Sequence, residues 1–83
     1  MASIHATFRN TYGESRRWII WDTGRDPNSP PMIFDGYLDP DGATSPLAVY
    51  SADGTSGTVQ YQRSDGAPTV GDNITDGSEV RME

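Results

Sequence analysis

The residue type best suited to proton exchange near neutral pH occurs once in this chain, as His5. It lies in the alternating stretch SIHATFRN, where Ile4, Ala6 and Phe8 share one strand face and His5 falls on the other. A nucleophilic triad would need a serine and an acid beside it, and no G-x-S-x-G motif occurs. We therefore interpret His5 as a solvent-facing strand residue.

Carboxylates are the second group that could do chemistry, because paired acids support acid–base catalysis and calcium binding. Most of the 12 acids precede or follow turn residues, where aspartate bonds to the backbone. In DPDGATS, Asp39 and Asp41 alternate as in a calcium loop, but a third ligand and a closing glutamate are missing, which favours a turn with Pro40 and Gly42 at turn positions. With no cysteine either, the sequence predicts no enzyme, no metal and no cofactor.

Aromatic residues and arginines give the remaining signal for function. Aromatic rings cover much area at little entropic cost, and arginine adds hydrogen bonds or stacks on a ring, as in surfaces that bind glycans or proteins. We predict a binding patch of Trp18, Arg16, Tyr37 and Tyr50. The alternative is that the core of a small β domain takes up these rings.

The stretch RRWIIWD holds both tryptophans, and strand alternation places them on opposite faces. The charged residues Arg16 and Asp22 share the face of Trp18. On that ground we predict that Trp21 and Ile19 lie in the core and that Trp18 lies outside.

The elements that must position these residues are short strands. Asp-Gly occurs five times, and it supplies the positive φ angles of tight hairpin turns. Between the turns apolar residues alternate, and 9 glycines and 6 prolines interrupt every window in which a helix could run. We predict one domain, residues 1–83: an all-β, mainly antiparallel β-sandwich of six or seven strands with immunoglobulin-like architecture, with a small β-barrel as the alternative.

Alternation also predicts which residues share a strand face. In MIFDGYLD we place Met32, Phe34 and Leu38 on one face, and Gly36 is predicted to mark a bulge. In TVQYQRS we place Val59 and Tyr61 inward, and the residues between them outward. In the last segments, the predicted inward residues are Leu47, Val49, Val80 and Met82.

The net charge and the hydropathy of the chain disfavour two classes of partner, nucleic acid and the interior of a membrane. The net charge of −6 disfavours nucleic acid, since phosphates would be repelled, and no apolar stretch approaches the roughly 18 residues of a membrane span. We predict a non-catalytic module that recognises a glycan or a protein surface through an exposed aromatic–arginine patch. The alternative is a self-associating structural or assembly subunit, a homo-oligomer, because the strand edges carry no lysine to block pairing. The localisation is left open.

Overall fold

The fold consists of seven strands in two sheets, in a computed structural model that describes residues 2–26 and 28–83. The strands are β1 (Ala2–Asn10), β2 (Arg16–Asp22), β3 (Met32–Leu38), β4 (Leu47–Ser51), β5 (Ser56–Arg63), β6 (Val70–Thr75) and β7 (Ser78–Met82). The predicted small β-sandwich is confirmed, and the barrel alternative is wrong because the strands form two separate sheets. Within the described ranges no helix is long and apolar enough to cross a bilayer.

The sheets hold three and four strands, in the orders β4-β1-β7 and β3-β2-β5-β6. Every pairing is antiparallel except β1 with β7, which is parallel. Only the β2–β3 and β5–β6 connections join paired strands, so the other connections cross from one sheet to the other. The connections between strands therefore link the two sheets repeatedly along the chain.

The Asp-Gly turns mostly make these crossings. Asp65-Gly66 joins the paired strands β5 and β6, whereas Asp35-Gly36 lies inside β3 and forms no turn. Asp76-Gly77 is the whole connection between β6 and β7, which belong to different sheets. Gly77 adopts a φ of 82° there, and its N–H donates to the carbonyl of His5 at 2.7 Å. The turn residues are therefore as the sequence predicts, but few of them close hairpins.

The core lies between the sheets and is built on the inward face of β2. Trp18 and Ile20 are fully buried, whereas Trp21 and Ile19 are half-buried on the opposite face. The Trp18 ring packs against Tyr61, with ring centroids 6.1 Å apart. The prediction that Trp21 and Ile19 fill the core and Trp18 lies outside is therefore wrong.

The charged residues that suggested the wrong face are accommodated at the two ends of β2. Asp22 is fully buried, and its Oδ2 accepts the N–H of Tyr50 at 2.8 Å and lies 3.4 Å from Nε of Arg25. Arg16 lies at the opposite rim, where its guanidinium bonds Glu14 and Asp65. The partners of Arg16 and of Asp22 Oδ2 offset part of the cost of keeping this face of β2 inward, while Asp22 Oδ1 is buried without a hydrogen-bond partner among the described residues.

A β-bulge changes the inward residue at the start of β3. Ile20 pairs with Phe34 and Trp21 pairs with Met32, so Ile33 is the extra residue. Ile33 packs against the core and Met32 is 55% exposed, which corrects the prediction that Met32 shares a face with Phe34 and Leu38. The predicted bulge at Gly36 is also wrong, since Gly36 pairs regularly with Trp18.

The other strand faces agree with the predicted alternation. Buried apolar residues come from every strand, and Phe34 and Leu47 are partly buried against them. The fully or almost fully buried set is Ile4, Ala6, Phe8, Leu38, Val49, Val59, Tyr61, Ile74, Val80 and Met82, with Trp18 and Ile20. At roughly 25 cal/mol per Å² of apolar surface, this layer is the main source of stability.

A buried asparagine, Asn10, holds the backbone in place at the end of the sandwich where β1 ends. The Nδ2 of Asn10 donates to the carbonyls of Glu14 and Leu38, both at 2.9 Å, and its Oδ1 accepts the N–H of Tyr12 at 2.9 Å. The side chain thus ties the β1–β2 loop to the end of β3. It satisfies backbone groups that the change of sheet leaves without ladder partners.

The loop between β4 and β5 is organised by Asp53. Its Oδ1 accepts the backbone N–H groups of Thr55 and Ser56 at 2.9 and 3.0 Å, and the hydroxyl of Ser51 at 2.9 Å. The hydrogen bond from Ser56, followed by those from Thr55 and Ser51, holds the pKa of this carboxyl well below its usual value. The ionised form of Asp53 therefore stabilises the turn.

The two tryptophans should differ in solution. In the Trp21→Phe variant the remaining Trp18 should emit at short wavelength and resist iodide; in Trp18→Phe the remaining Trp21 should be quenched. Trp18→Phe should lower the free energy of unfolding by about 1–2 kcal/mol, limited because no described residue gives the Trp18 Nε1 a hydrogen-bond partner to lose. Trp21→Phe should cost less than about 1 kcal/mol. Equal quenching in both variants would contradict the buried position of Trp18.

The Asp53 turn predicts a pH dependence. Because the folded-state pKa is lowered, the stabilisation is present above the unfolded pKa of about 4 and is lost as the pH falls through the folded value. The Asp53→Ala variant should unfold at lower urea concentration at pH 7, and its difference from the unchanged protein should shrink towards pH 2. Asp39→Ala is the control, since that carboxylate accepts no hydrogen bond within the described residues. A difference independent of pH would contradict this role.

Candidate functional site

The side of the four-stranded sheet that faces away from the core carries the candidate site. The register aligns Trp21 of β2 with Gln60 of β5, and Gln60 with Gly71 of β6. Two residues further along each strand, on the same face, Ile19 pairs with Gln62. The half-buried Trp21 ring thus lies beside a row of amides on a surface that no other described element covers.

A groove runs along β5 on this face, and we call it the amide groove. Its first section has a volume of about 290 Å³ and is lined by Trp21, Pro30, Gln60, Gln62 and Thr69. Gln62 is held in place because its Nε2 donates to the carbonyl of Ala67 at 2.9 Å, which leaves its Oε1 as an acceptor. This section combines one aromatic ring with amide and hydroxyl groups.

The second section of the amide groove shares Gln60 with the first and has a volume of about 300 Å³. It is lined by hydroxyl and amide side chains of Thr23, Thr58 and Asn73, with Gly71 opposite Gln60. A Cβ at Gly71 would meet its nearest neighbours at 4.0 Å, an ordinary van der Waals distance, so a side chain would fit there without a clash. The absence of a side chain there keeps the groove clear over β6.

The polar groups of the groove are only partly used within the protein. The Thr23 hydroxyl donates to that of Thr58 at 3.0 Å. Among the described residues, no hydrogen bond engages the side-chain amides of Gln60 or Asn73. These amides are exposed, so each has donors and an acceptor free for a ligand.

The same sheet face carries one ion pair outside the groove. Arg17 holds Asp35 through two bonds of 2.6 Å each. The hydrogen bond from Arg17 lowers the pKa of Asp35, and the hydrogen bond to Asp35 raises the pKa of Arg17. Two opposite charges in bidentate contact leave no net charge on this part of the face.

The structure does not bring the four predicted binding residues together. Trp18 is fully buried in the core, so it cannot contact a ligand at the surface. Arg16 lies at the rim, half-buried, with its donors used by Glu14, Ser15 and Asp65 and its guanidinium 5.2 Å from the Tyr12 ring. The predicted patch centred on Trp18 is therefore wrong as a single surface.

The two predicted tyrosines lie at opposite ends of the sandwich. Tyr37 is 74% exposed and pairs with Arg17 near the start of β2. Tyr50 is half-buried, and its N–H bonds Asp22 at the end of β2. Five strand steps separate Arg17 from Asp22, about 17 Å. Tyr37 is outside the amide groove, whereas Tyr50 lies near its second section.

The segments weighed for catalysis and metal binding have structural roles. His5 is exposed on the outer face of β1, and its backbone N–H bonds Asp76 Oδ1 at 2.9 Å. Asp41 and Gly42 form a turn in which the Gly42 N–H donates to the Asp39 carbonyl at 2.7 Å, although the turn crosses between sheets and closes no hairpin. Across residues 2–26 and 28–83, no group of three or more histidine, cysteine or acidic side chains could hold a metal ion.

Sequence reasoning placed Gln60 and Gln62 outward correctly but missed that they line one groove with Trp21. The missing partner was Trp21, which the same reasoning put in the core. One signal was available: if Trp18 had been placed inside, alternation alone would have put Trp21 on the amide-bearing face. The pairing of Trp21 with Gln60 depends on strand register and is not readable from the chain.

Comparison with known proteins adds no constraint on this site. Neither a protein family, a curated protein nor a solved structure matches the chain.

Proposed function

We propose that this protein is a non-catalytic carbohydrate-binding module and that the amide groove is its binding site. The observation that carries the proposal is the alignment of a half-exposed Trp21 with the free amide of Gln60 in one groove. A sugar ring presents an apolar face and a rim of hydroxyl groups. In the groove, the Trp21 ring can pack against the apolar face, and the Gln60 amide can bond the hydroxyl groups.

The aromatic contribution comes from Trp21. Its large ring lies on a rigid central strand, so it gives contact area without the loss of much conformational freedom. The ring lines the groove wall and does not project freely into solvent. This position suits stacking of a flat ligand across β2 and β5.

The polar contribution comes from amides and hydroxyl groups. Gln60 and Asn73 each carry both donors and an acceptor, and a sugar hydroxyl can donate and accept at once. Their neighbours Thr58 and Thr69 add hydroxyl groups to the same groove. Such pairing replaces the water bound to a sugar hydroxyl without burying a charge.

The test is titration with neutral oligosaccharides of glucose, xylose, mannose and N-acetylglucosamine, followed by calorimetry. At least one should bind, and both Trp21→Ala and Gln60→Ala should weaken it by about tenfold or more, through loss of stacking and of a hydrogen-bond partner.

The matched control is Tyr37→Ala, which removes a more exposed aromatic ring from the same sheet face but outside the groove. It should bind like the unchanged protein. Absence of binding by every sugar in the set, or equal loss in Tyr37→Ala, would overturn the proposal.

Self-association is the second candidate function, and the exposed edge strand β3 favours it. Met32 is 55% and Tyr37 74% exposed on this edge, which has unpaired backbone groups. Antiparallel pairing of two β3 edges would join two sheets into one across a two-fold axis. The central Asp35 is held by Arg17 and does not leave an uncompensated charge there.

Sedimentation over a concentration series tests self-association. The unchanged protein should form a dimer as concentration rises, and Met32→Glu should remain monomeric because it places a charge in the pairing edge. Val70→Glu is the control, since Val70 is 37% exposed on the other edge of the same sheet. A monomer at all concentrations would show that the β3 edge does not pair.

A further inference from the structure

The amide groove continues past its second section to the edge of the sandwich. A third hollow of about 270 Å³ shares Thr58 and Asn73 with the second section and is lined further by Tyr50, Gly24 and Ser56. The three sections follow one another along β5, from Gln62 through Gln60 and Thr58 to Ser56. The six strand steps from Ser56 to Gln62 give this track a length of about 20 Å.

Each end of the track has one aromatic ring. Trp21 lines the first section and Tyr50 lines the third. Gly24 keeps the space beside the tyrosine open, because a side chain there would meet the Tyr50 ring at 3.6 Å and the Thr58 hydroxyl at 3.3 Å. The polar residues Thr58 and Asn73 lie between the two rings.

The end residues do not close the track. Thr69 at one end and Ser56 at the other are exposed to solvent. A ligand chain can therefore extend beyond both rings. This differs from a closed pocket, which would select the terminal unit of a chain.

The charges of the track exclude anionic ligands. No arginine side chain lines any of the three sections within the described residues. The whole chain carries a net charge of −6. A sulfated or uronic acid-containing chain would meet this negative charge with no arginine among the lining residues to offset it.

We propose that the amide groove binds the interior of a linear, neutral oligosaccharide, with one sugar on Trp21 and a sugar further along the chain on Tyr50. This inference rests on the proposed function and adds a second aromatic subsite, a preference for chain length and a preference for neutral sugars. The ligand lies along β5, and its intermediate sugars contact Thr58 and Asn73.

Calorimetry with a length series tests the inference, using the sugar type that binds, from the monosaccharide to the hexasaccharide, with heparin oligosaccharides as anionic probes. Affinity should rise at least tenfold between the monosaccharide and the tetrasaccharide and then level off, and heparin should not bind. Tyr50→Ala should weaken tetrasaccharide binding severalfold and leave monosaccharide binding unchanged. Trp21→Ala should weaken both.

Two further variants separate binding from folding. Tyr50→Phe keeps the ring and should retain tetrasaccharide affinity, while the Tyr50 backbone bond to Asp22 persists in both Tyr50 variants. Gly71→Thr adds a side chain whose Cβ meets no atom closer than 4.0 Å, at a position in an extended strand, so it should fold normally and block the track beside Gln60. Its melting temperature should match that of the unchanged protein.

The outcomes distinguish the two proposals. A monosaccharide that binds as tightly as the tetrasaccharide, or a Tyr50→Ala variant with unchanged tetrasaccharide affinity, would overturn the extended site and leave carbohydrate binding standing. Heparin binding would overturn the preference for neutral chains. Failure of every neutral sugar would overturn both the proposed function and this inference.

Discussion

The burial of Trp18 between the two sheets is the constraint on which the rest of the structure depends. Trp18 is the largest fully buried side chain, and a strand that turns it inward must turn Trp21 outward. The central strand β2 then presents an aromatic ring on its outer face, where β5 contributes amides in register. The core and the candidate site are therefore two consequences of one choice of strand face.

That choice requires partners for the charged ends of β2. The carboxylate of Asp22 is fully buried and bonds the backbone of Tyr50, which ties the four-stranded sheet to β4 of the other sheet. Gly57 of β5 passes close to the Tyr50 carbonyl, where any side chain would come within 2.6 Å. This close approach brings Tyr50 next to the end of the amide groove. The hydrogen bond to Asp22 Oδ2, which offsets part of the cost of the buried carboxylate, thus also holds the Tyr50 backbone beside the groove.

The polar lining of the groove is the basis of the proposed sugar binding. The groove is shallow and lined by Gln60, Asn73 and threonines, and exposed apolar area lies on the β3 edge at Met32 and Tyr37. Met32 pairs with Trp21, so this edge begins directly beside the aromatic wall of the groove, and the ion pair of Arg17 and Asp35 lies next to Tyr37. The proposed sugar site and the proposed pairing edge are therefore neighbouring surfaces of one sheet.

The sequence by itself determined the all-β class, nearly every strand, and the inward or outward position of most residues, because period-two alternation and Asp-Gly turns are local features. It predicted Gln60 and Gln62 outside and Val59 and Tyr61 inside, as the structure has them. Only the tertiary structure decided which tryptophan is buried. Each face of β2 carries one tryptophan, one isoleucine and one arginine, and the partners of Asp22 and Arg16 come from segments distant in sequence. The bulge at Ile33 was likewise settled by register with the adjacent strand β2, and the parallel pairing of β7 with β1 and the alignment of Trp21 with Gln60 by register between strands far apart in sequence. Pairing energies depend on the neighbouring strand, and alternation within one strand carries no information about that neighbour.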